Sequence, residues 1–170
     1  VTSKHANVPV HVSTQANVMN SMTARVYADM GVKRIVLARE LNLTQIRKLR
    51  DGLPDDVTLE AFVHGAMCVS YSGRCLLSNY LTGRSANRGE CNQACRMVFT
   101  PEIGGGGLEF AQDDGTYIFG GNDLNMIEHL DELADAGVSS FKIEGRVKSE
   151  YYVACIVNAY RKAIDAGAAG

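Results

Sequence analysis

The chain has 170 residues, 46% of them hydrophobic and 21% charged, with a formal net charge of −2. That balance is ordinary for one soluble globular domain, and it excludes a uniformly basic nucleic-acid binder; any RNA would have to be drawn by a local patch. No apolar run is long enough to span a bilayer, and Val1 to Val10 lacks the basic start and long apolar run of a secretory signal, so a cytoplasmic protein with reduced cysteines and no membrane partner is expected.

Val8 to Ser13 alternates and predicts a strand, with Val8, Val10 and Val12 on one face and His11 and Ser13 on the other. A helix of about twelve residues should follow, with Met22, Val26 and Met30 as its core stripe and Gly31 as its stop. Val32 to Ala38 predicts a second strand, ending in Arg39 and Glu40. Asn42 followed by Gln45 resembles a capping box for a short helix that turns Ile46 and Leu49 inward, and Asp51 to Pro54 ends it. Val57 to Val63 predicts a third strand. Leu59, Ala61 and Val63 share one side; Glu60, Phe62 and His64 share the other.

The rhythm then breaks. Four of the five cysteines, Cys68, Cys75, Cys91 and Cys95, fall inside 28 residues rich in Gly, Ser and Asn, with gaps of six, fifteen and three residues. Disulfides need an oxidising compartment. Structural zinc usually takes Cys-x-x-Cys knuckles, which neither pair offers. An iron–sulfur cluster also takes four thiolates and tolerates irregular spacing. Four buried, metal-free cysteines are the plain alternative, though a polar loop is an odd place to collect them. Spacing leaves zinc and iron–sulfur both open. Arg74, Arg84, Arg88 and Arg96 lie in the same segment, as a basic patch for RNA or as a solvated loop face.

Gly104 to Gly107 reads as a flexible linker or wide turn, whether a shortened natural loop or an engineered joint. Phe99 and Gly115 to Phe119 predict short strands beside it, paired as a hairpin. Asp123 is expected to cap a helix with Leu124, Ile127, Leu130, Leu133 and Ala134 on its buried stripe. Val138 to Ile143 predicts a fourth strand, followed by Glu144, Gly145 and Arg146. The last helix carries Tyr152, Ile156, Tyr160 and Ile164 at i, i+4, and Cys155 beside that stripe reads as core.

Glu60-x-Phe62-x-x-Gly65-Ala66-Met67-Cys68, then Gly73-x-Cys75-x-Leu77-Ser78, resembles the signature of the collagenase-like peptidase family U32. His11-x-Ser13-Thr14-Gln15-Ala16-Asn17, Lys142 to Arg146 and Tyr160 to Asp165 fit the same family, so the resemblance covers nearly the whole chain. It is greatest to bacterial members that hydroxylate RNA, above all those making 5-hydroxyuridine in tRNA with prephenate as the hydroxyl source. The resemblance implies a TIM-barrel-like domain, tRNA or other RNA as partner, a prephenate-like small carboxylate, and a 4Fe–4S cluster on cysteines of this segment. The metal ligands expected are Cys68, Cys75, Cys91 and Cys95, with zinc as the alternative occupant. Some relatives place a ligand cysteine in an Asp-Leu-Cys motif, where this chain reads Asp123-Leu124-Asn125. The fourth thiolate is then Cys95 or is missing.

Strand and helix alternate four times, which predicts an α/β fold with a parallel sheet. A whole (β/α)₈ barrel needs about 250 residues. With the resemblance, the chain reads as the second half of a TIM-like (β/α) barrel carrying a cysteine-rich insertion. Residues 1–64 form its βαβαβ part, 65–122 the cysteine-rich segment and glycine linker, and 123–170 its αβα part. A missing N-terminal half-barrel or a second copy would cover the open edges; an intact small open sheet is the alternative.

In a barrel the polar strand faces point inward, near the strand ends where barrel active sites lie. His11, Gln15, Glu60, His64, Lys142, Glu144 and Arg146 are expected to meet there, with the cysteines at the rim. Arg146 or Arg39 offers a fork for a carboxylate, His11 and Gln15 further contacts, and Arg84 and Arg88 contacts to RNA. Glu60, Glu144 or His64 would move protons, and Lys142 would hold an anion or tune Glu144. A network that pairs only with itself is the structural alternative. There is no Gly-x-Ser-x-Gly elbow and no His-Glu-x-x-His helix. A peptidase and a non-catalytic RNA- or partner-binding module stand behind the hydroxylase.

Overall fold

A computed structural model describes residues 8–104, 107–117 and 119–167. Gly105 and Gly106 of the expected glycine turn, and Ile118 of the expected second hairpin strand, lie outside them. The chain divides into two compact units, one of Val1–Ala66 with Asp123–Gly170, the other of Met67–Asn122. In chain order the first unit holds β1 (Val10–Val12), a 3-10 turn (Thr14–Ala16), α1 (Ser21–Asp29), β2 (Val32–Val36), α2 (Leu43–Asp51) and β3 (Thr58–Gly65). The second unit holds α3 (Leu77–Thr82), 3-10 turns at Ala86–Arg88 and Ala94–Arg96, β4 (Phe99–Gly104) and β5 (Gly107–Thr116). The first unit resumes with β6 (Leu124–Asn125), a 3-10 turn (Ile127–His129), α4 (Leu130–Asp135), β7 (Val138–Ile143) and α5 (Glu150–Gly167).

The predicted class, α/β, is what the first unit shows. β1 pairs with β2, β2 with β3 and β3 with β7, all parallel. β6 runs antiparallel against the end of β3, with His64 opposite Asn125 and Gly65 opposite Leu124. Along β3 the side chains alternate as expected, with Leu59, Ala61 and Val63 buried. Ile35, Leu49, Leu59, Val57 and Val63 are fully buried, together with Val18 from the loop before α1. Each such burial contributes roughly 1.5–3 kcal/mol.

Local chemistry sets the helix ends. The Asn42 side chain accepts from the Gln45 backbone N–H while the Gln45 side chain accepts from the Asn42 N–H, so the predicted capping box is formed. Arg50 then donates to the carbonyls of Leu53, Pro54 and Val57, which ties the loop after α2 to the start of β3. Among the described residues no helix is long and apolar enough to cross a membrane.

Three expectations fail. Met22, Val26 and Met30 are 81%, 58% and 67% exposed. α1 buries Ala24 instead, with Tyr27 and Ala28 half-buried against the core; the methionine row lies about half a turn round the helix from it. The spacing was helical, but the small residues gave the closer fit. Asp123 caps no helix, because Leu124 and Asn125 pair with β3 as a strand; the α-helix begins only at Leu130, with Ala134 exposed and Ala136 buried. Cys155 is exposed and not core.

In the second unit β4 and β5 form a hairpin about the glycine turn, with Gly104 opposite Gly107, but its second strand is Gly107–Thr116: of the strand expected at Gly115–Phe119, Gly115 and Thr116 lie at its end and Tyr117 lies outside it. α3 ends at Gly83 in the left-handed region, with φ 70°. Ser72, Ser78, Ala86, Ala94 and Phe99 are buried, and Phe99 meets Phe119 edge to face at 5.4 Å. Among the residues of this unit described as buried, small and hydroxylated side chains prevail, and hydrogen bonds supply much of their order.

The close of β3 against β7 is tested at Gly65. Its φ is +106°, and a Cβ there would stand 2.3 Å from the Glu144 carbonyl oxygen. Gly65→Ala should lower stability by about 3 kcal/mol, through strain and overlap together. Gly121→Ala, where a Cβ meets nothing within 4 Å, should change it by less than about 1 kcal/mol. Urea midpoints at unchanged slope report both.

Candidate functional site

On the face of β3 opposite the aliphatics, Glu60 gathers polar partners from two neighbouring strands. Arg34 Nη1 stands 3.4 Å from Glu60 Oε2, Lys142 Nζ 3.4 Å from Oε1, and Ser140 Oγ donates to Oε2 at 3.0 Å. Arg34 Nε also donates to Thr58 Oγ1 at 3.0 Å. The Glu60 side chain is only 14% exposed. The exposed pairs Arg25–Asp29 and Arg161–Asp165 each contribute a few tenths of a kcal/mol; the desolvated Glu60 cluster responds more to loss of one member. Beside it, the Arg39 guanidinium lies 4.2 Å from the Phe62 ring centroid and Lys142 Nζ 5.1 Å from it. Three cations thus stand around one carboxylate and one aromatic ring. His11 is the β1 neighbour of Arg34 and is exposed, as is Gln15 in the 3-10 turn beyond β1.

His64 belongs to a different cluster. Its Nε2 is 3.0 Å from the Tyr152 hydroxyl and its Nδ1 3.3 Å from the Tyr160 hydroxyl, both on α5. Pairing of β3 with β7 is irregular between Phe62 and His64, and such irregularities re-aim side chains. Tyr160 donates to the Val63 carbonyl at 2.7 Å and accepts from the Met126 N–H at 3.1 Å. Tyr152 donates to Asp123 Oδ2 at 3.1 Å, where Lys148 also donates at 2.7 Å. Burial pushes both tyrosine hydroxyls above their usual range, and the Asp123 hydrogen bond adds to the effect at Tyr152. The same carboxylate raises Lys148.

Glu144 accepts backbone N–H groups on both oxygens, from Ala66 at 3.3 Å and Arg146 at 2.9 Å. It works as a clamp at the end of β7, which is a poor position for moving protons. Arg146 is exposed just beyond it. Of the predicted residues, then, Glu60 and Lys142 meet, His64 sits among tyrosines, and Glu144 binds backbone. Arg34, Ser140, Tyr152 and Asp123 were missed. The tyrosine stripe of α5 was visible, and buried hydroxyls require partners; that was the available signal. Strand register, which delivers Arg34 and Ser140, left none.

The four clustered cysteines all lie in the second unit, and none of them is in a disulfide. Cys68 is exposed; the other three are half-buried. The Cys95 thiol is pushed up chiefly by burial; neighbouring Arg96 opposes this, and Cys68, Cys91 and Cys75 add to it. Cys95 therefore feels all three other sulfurs. Cys91 Sγ accepts from the Gln93 N–H at 3.3 Å and from Ser78 Oγ at 3.8 Å. Buried Ser78 also donates to Asn92 Oδ1 at 2.6 Å. Arg96 donates to the carbonyls of Met67 and Gly121, at 2.5 and 2.8 Å. It is thus a structural tie, while Arg74, Arg84 and Arg88 are exposed. Among the described residues no three His, Cys, Asp or Glu side chains gather tightly enough to hold a metal ion.

Comparison with known proteins gives these sites a setting. The chain is 46% identical over 166 residues to a tRNA hydroxylation protein P of Helicobacter pylori, covering 94% of this chain and 39% of that protein. It is 44% identical over 159 residues to a 23S rRNA 5-hydroxycytidine synthase of Escherichia coli, covering 94% of this chain and 24% of that one. A collagenase of Porphyromonas gingivalis is 39% identical over 168 residues, with 94% and 40% covered. The chain thus spans two fifths or less of the length of these relatives. No solved structure matches it. The family described as Peptidase family U32 matches residues 1–170 from end to end, and the chain belongs to it.

Proposed function

We propose that this chain is part of a cytoplasmic iron–sulfur enzyme that hydroxylates pyrimidines in RNA, with tRNA uridine as target and a prephenate-like carboxylate as hydroxyl source. Its parallel strand–helix units are read as half of a (β/α)₈-type barrel. The observation that carries the proposal is the quartet of cysteines outside any disulfide in the second unit, in a chain similar to proteins named for tRNA hydroxylation and for hydroxycytidine synthesis.

Four thiolates are the ligands that an iron–sulfur cluster takes, and Cys95 feels the other three sulfurs, which supports this reading. Cys68, Cys75, Cys91 and Cys95 would hold the cluster, and the Gln93 N–H bond to Cys91 Sγ suits a sulfur carrying negative charge. Bound there, the cluster would supply electron-transfer or Lewis-acid chemistry.

The remaining roles fall to side chains of the first unit. Arg34, Lys142 and Arg39 would bind the small carboxylate, in exchange for part of their hold on Glu60 and Phe62. Glu60, held at both oxygens, would orient those cations. The Tyr152 hydroxyl gives its proton to Asp123, so its oxygen faces His64 as an acceptor and holds a proton on Nε2. The name of the Porphyromonas relative favours a peptidase as the second reading. That reading needs a histidine base for a nucleophile, and both ring nitrogens of His64 face tyrosines.

Two experiments test the proposal. Nucleosides from tRNA of cells lacking the full-length protein should show hydroxyuridine lost on mass spectrometry; an unchanged level would defeat the hydroxylase. Protein purified without oxygen should be brown with about four irons per chain, and Cys91→Ser should bleach it. A colourless protein holding one zinc would instead make the metal structural.

A further inference from the structure

A cavity of about 460 Å³ opens in the second unit, lined by Thr82, Gly83, Arg84, Gly89, Glu90 and Cys91. It lies between the end of α3 and the irregular segment that follows the Ala86–Arg88 turn. Its size is that of a small-ligand site. Part of its wall is bare backbone. Gly83 and Gly89 hold φ of +70° and +86°, and a Cβ on either would meet nothing within 4 Å. A flat ring can approach such a wall where side chains would bar it.

Two charged groups of opposite sign complete the lining. Glu90 Oε2 accepts the Ser85 N–H at 3.2 Å, which orients the carboxylate. Among the described residues Arg84 enters no ion pair. A bare phosphate would be repelled by Glu90, and a simple cation by Arg84. The pair suits a neutral ligand with a donor N–H beside an acceptor, on one edge of a planar ring. Uracil has that edge in N3–H beside O4, and cytosine in its amino group beside N3. Enzymes that act on a base commonly take it out of the stack and read this edge in a pocket.

We propose that this cavity seats the pyrimidine base of the RNA substrate, with Arg84 donating to the ring acceptor and Glu90 accepting the ring or amino N–H. The assignment rests on the hydroxylase reading for the identity of the ligand and on the cavity for its place. Cys91, which lines the same cavity, then stands against the seated base.

The test titrates the full chain with uridine 5′-monophosphate and, separately, with ribose 5-phosphate. The nucleotide should bind about tenfold tighter, and Arg84→Gln and Glu90→Gln should each weaken it by about five- to tenfold, as expected when a charge-assisted hydrogen bond is replaced by a neutral one. Saturation-transfer NMR on the unmodified chain needs no variant, and should saturate the uracil ring protons more than those of the ribose. Equal binding of the two probes, binding untouched by both substitutions, or a collagen-like peptide taking the cavity instead would each overturn the seat. Normal hydroxyuridine in cells carrying both substitutions would overturn it and leave the hydroxylase standing. Base binding as expected, in a protein whose loss leaves hydroxyuridine unchanged, would defeat the hydroxylase and keep the seat.

Discussion

Strand β3 can bury Leu59, Ala61 and Val63 in only one register, because a slip of one residue would turn all three to the opposite face. Each of the larger two is worth roughly 1.5–3 kcal/mol when buried, against a few tenths for an exposed ion pair. The apolar side therefore decides, and the charged side follows. Once Leu59 is inside, Glu60 must emerge beside Arg34 of one neighbour and Lys142 of another. The charged cluster is a consequence of hydrophobic register. Its members would not find one another by attraction alone.

That dependence also marks what could be read in advance. Period-two alternation in β3 and the Asn42–Gln45 cap are local patterns, and both are present as read. The grouping of Cys68, Cys75, Cys91 and Cys95 was equally plain as a spacing. Partners brought by pairing between strands were not legible. Arg34 lies 26 residues before Glu60 and Ser140 lies 80 after it. Nothing in either neighbourhood announces the meeting. The phase of α1 was misread because apolar character was weighed without size: Ala24 fits where a methionine would not. Asp123 was misread because a good helix-capping residue was met outside any helix. There it serves Lys148 and Tyr152.

The second unit is ordered by different means. Before the hairpin, one buried hydroxyl does much of the joining. Ser78 donates to Asn92 and reaches Cys91, while its carbonyl accepts from Thr82. Asn92 in turn donates to Thr82. Buried polar groups of this kind stabilise only when each is satisfied, and they fix geometry more sharply than oily contacts do.

The outward row on α1 has a chemical consequence of its own. A thioether open to solvent is easily oxidised, and the sulfoxide is polar where the parent was apolar. Met22 and Met30 are open in this way, and the core is formed without them. Oxygen added at either would leave the packing of the sheet untouched, and would turn an oily stripe into a wettable one. This helix can weather oxidants that would ruin a buried methionine.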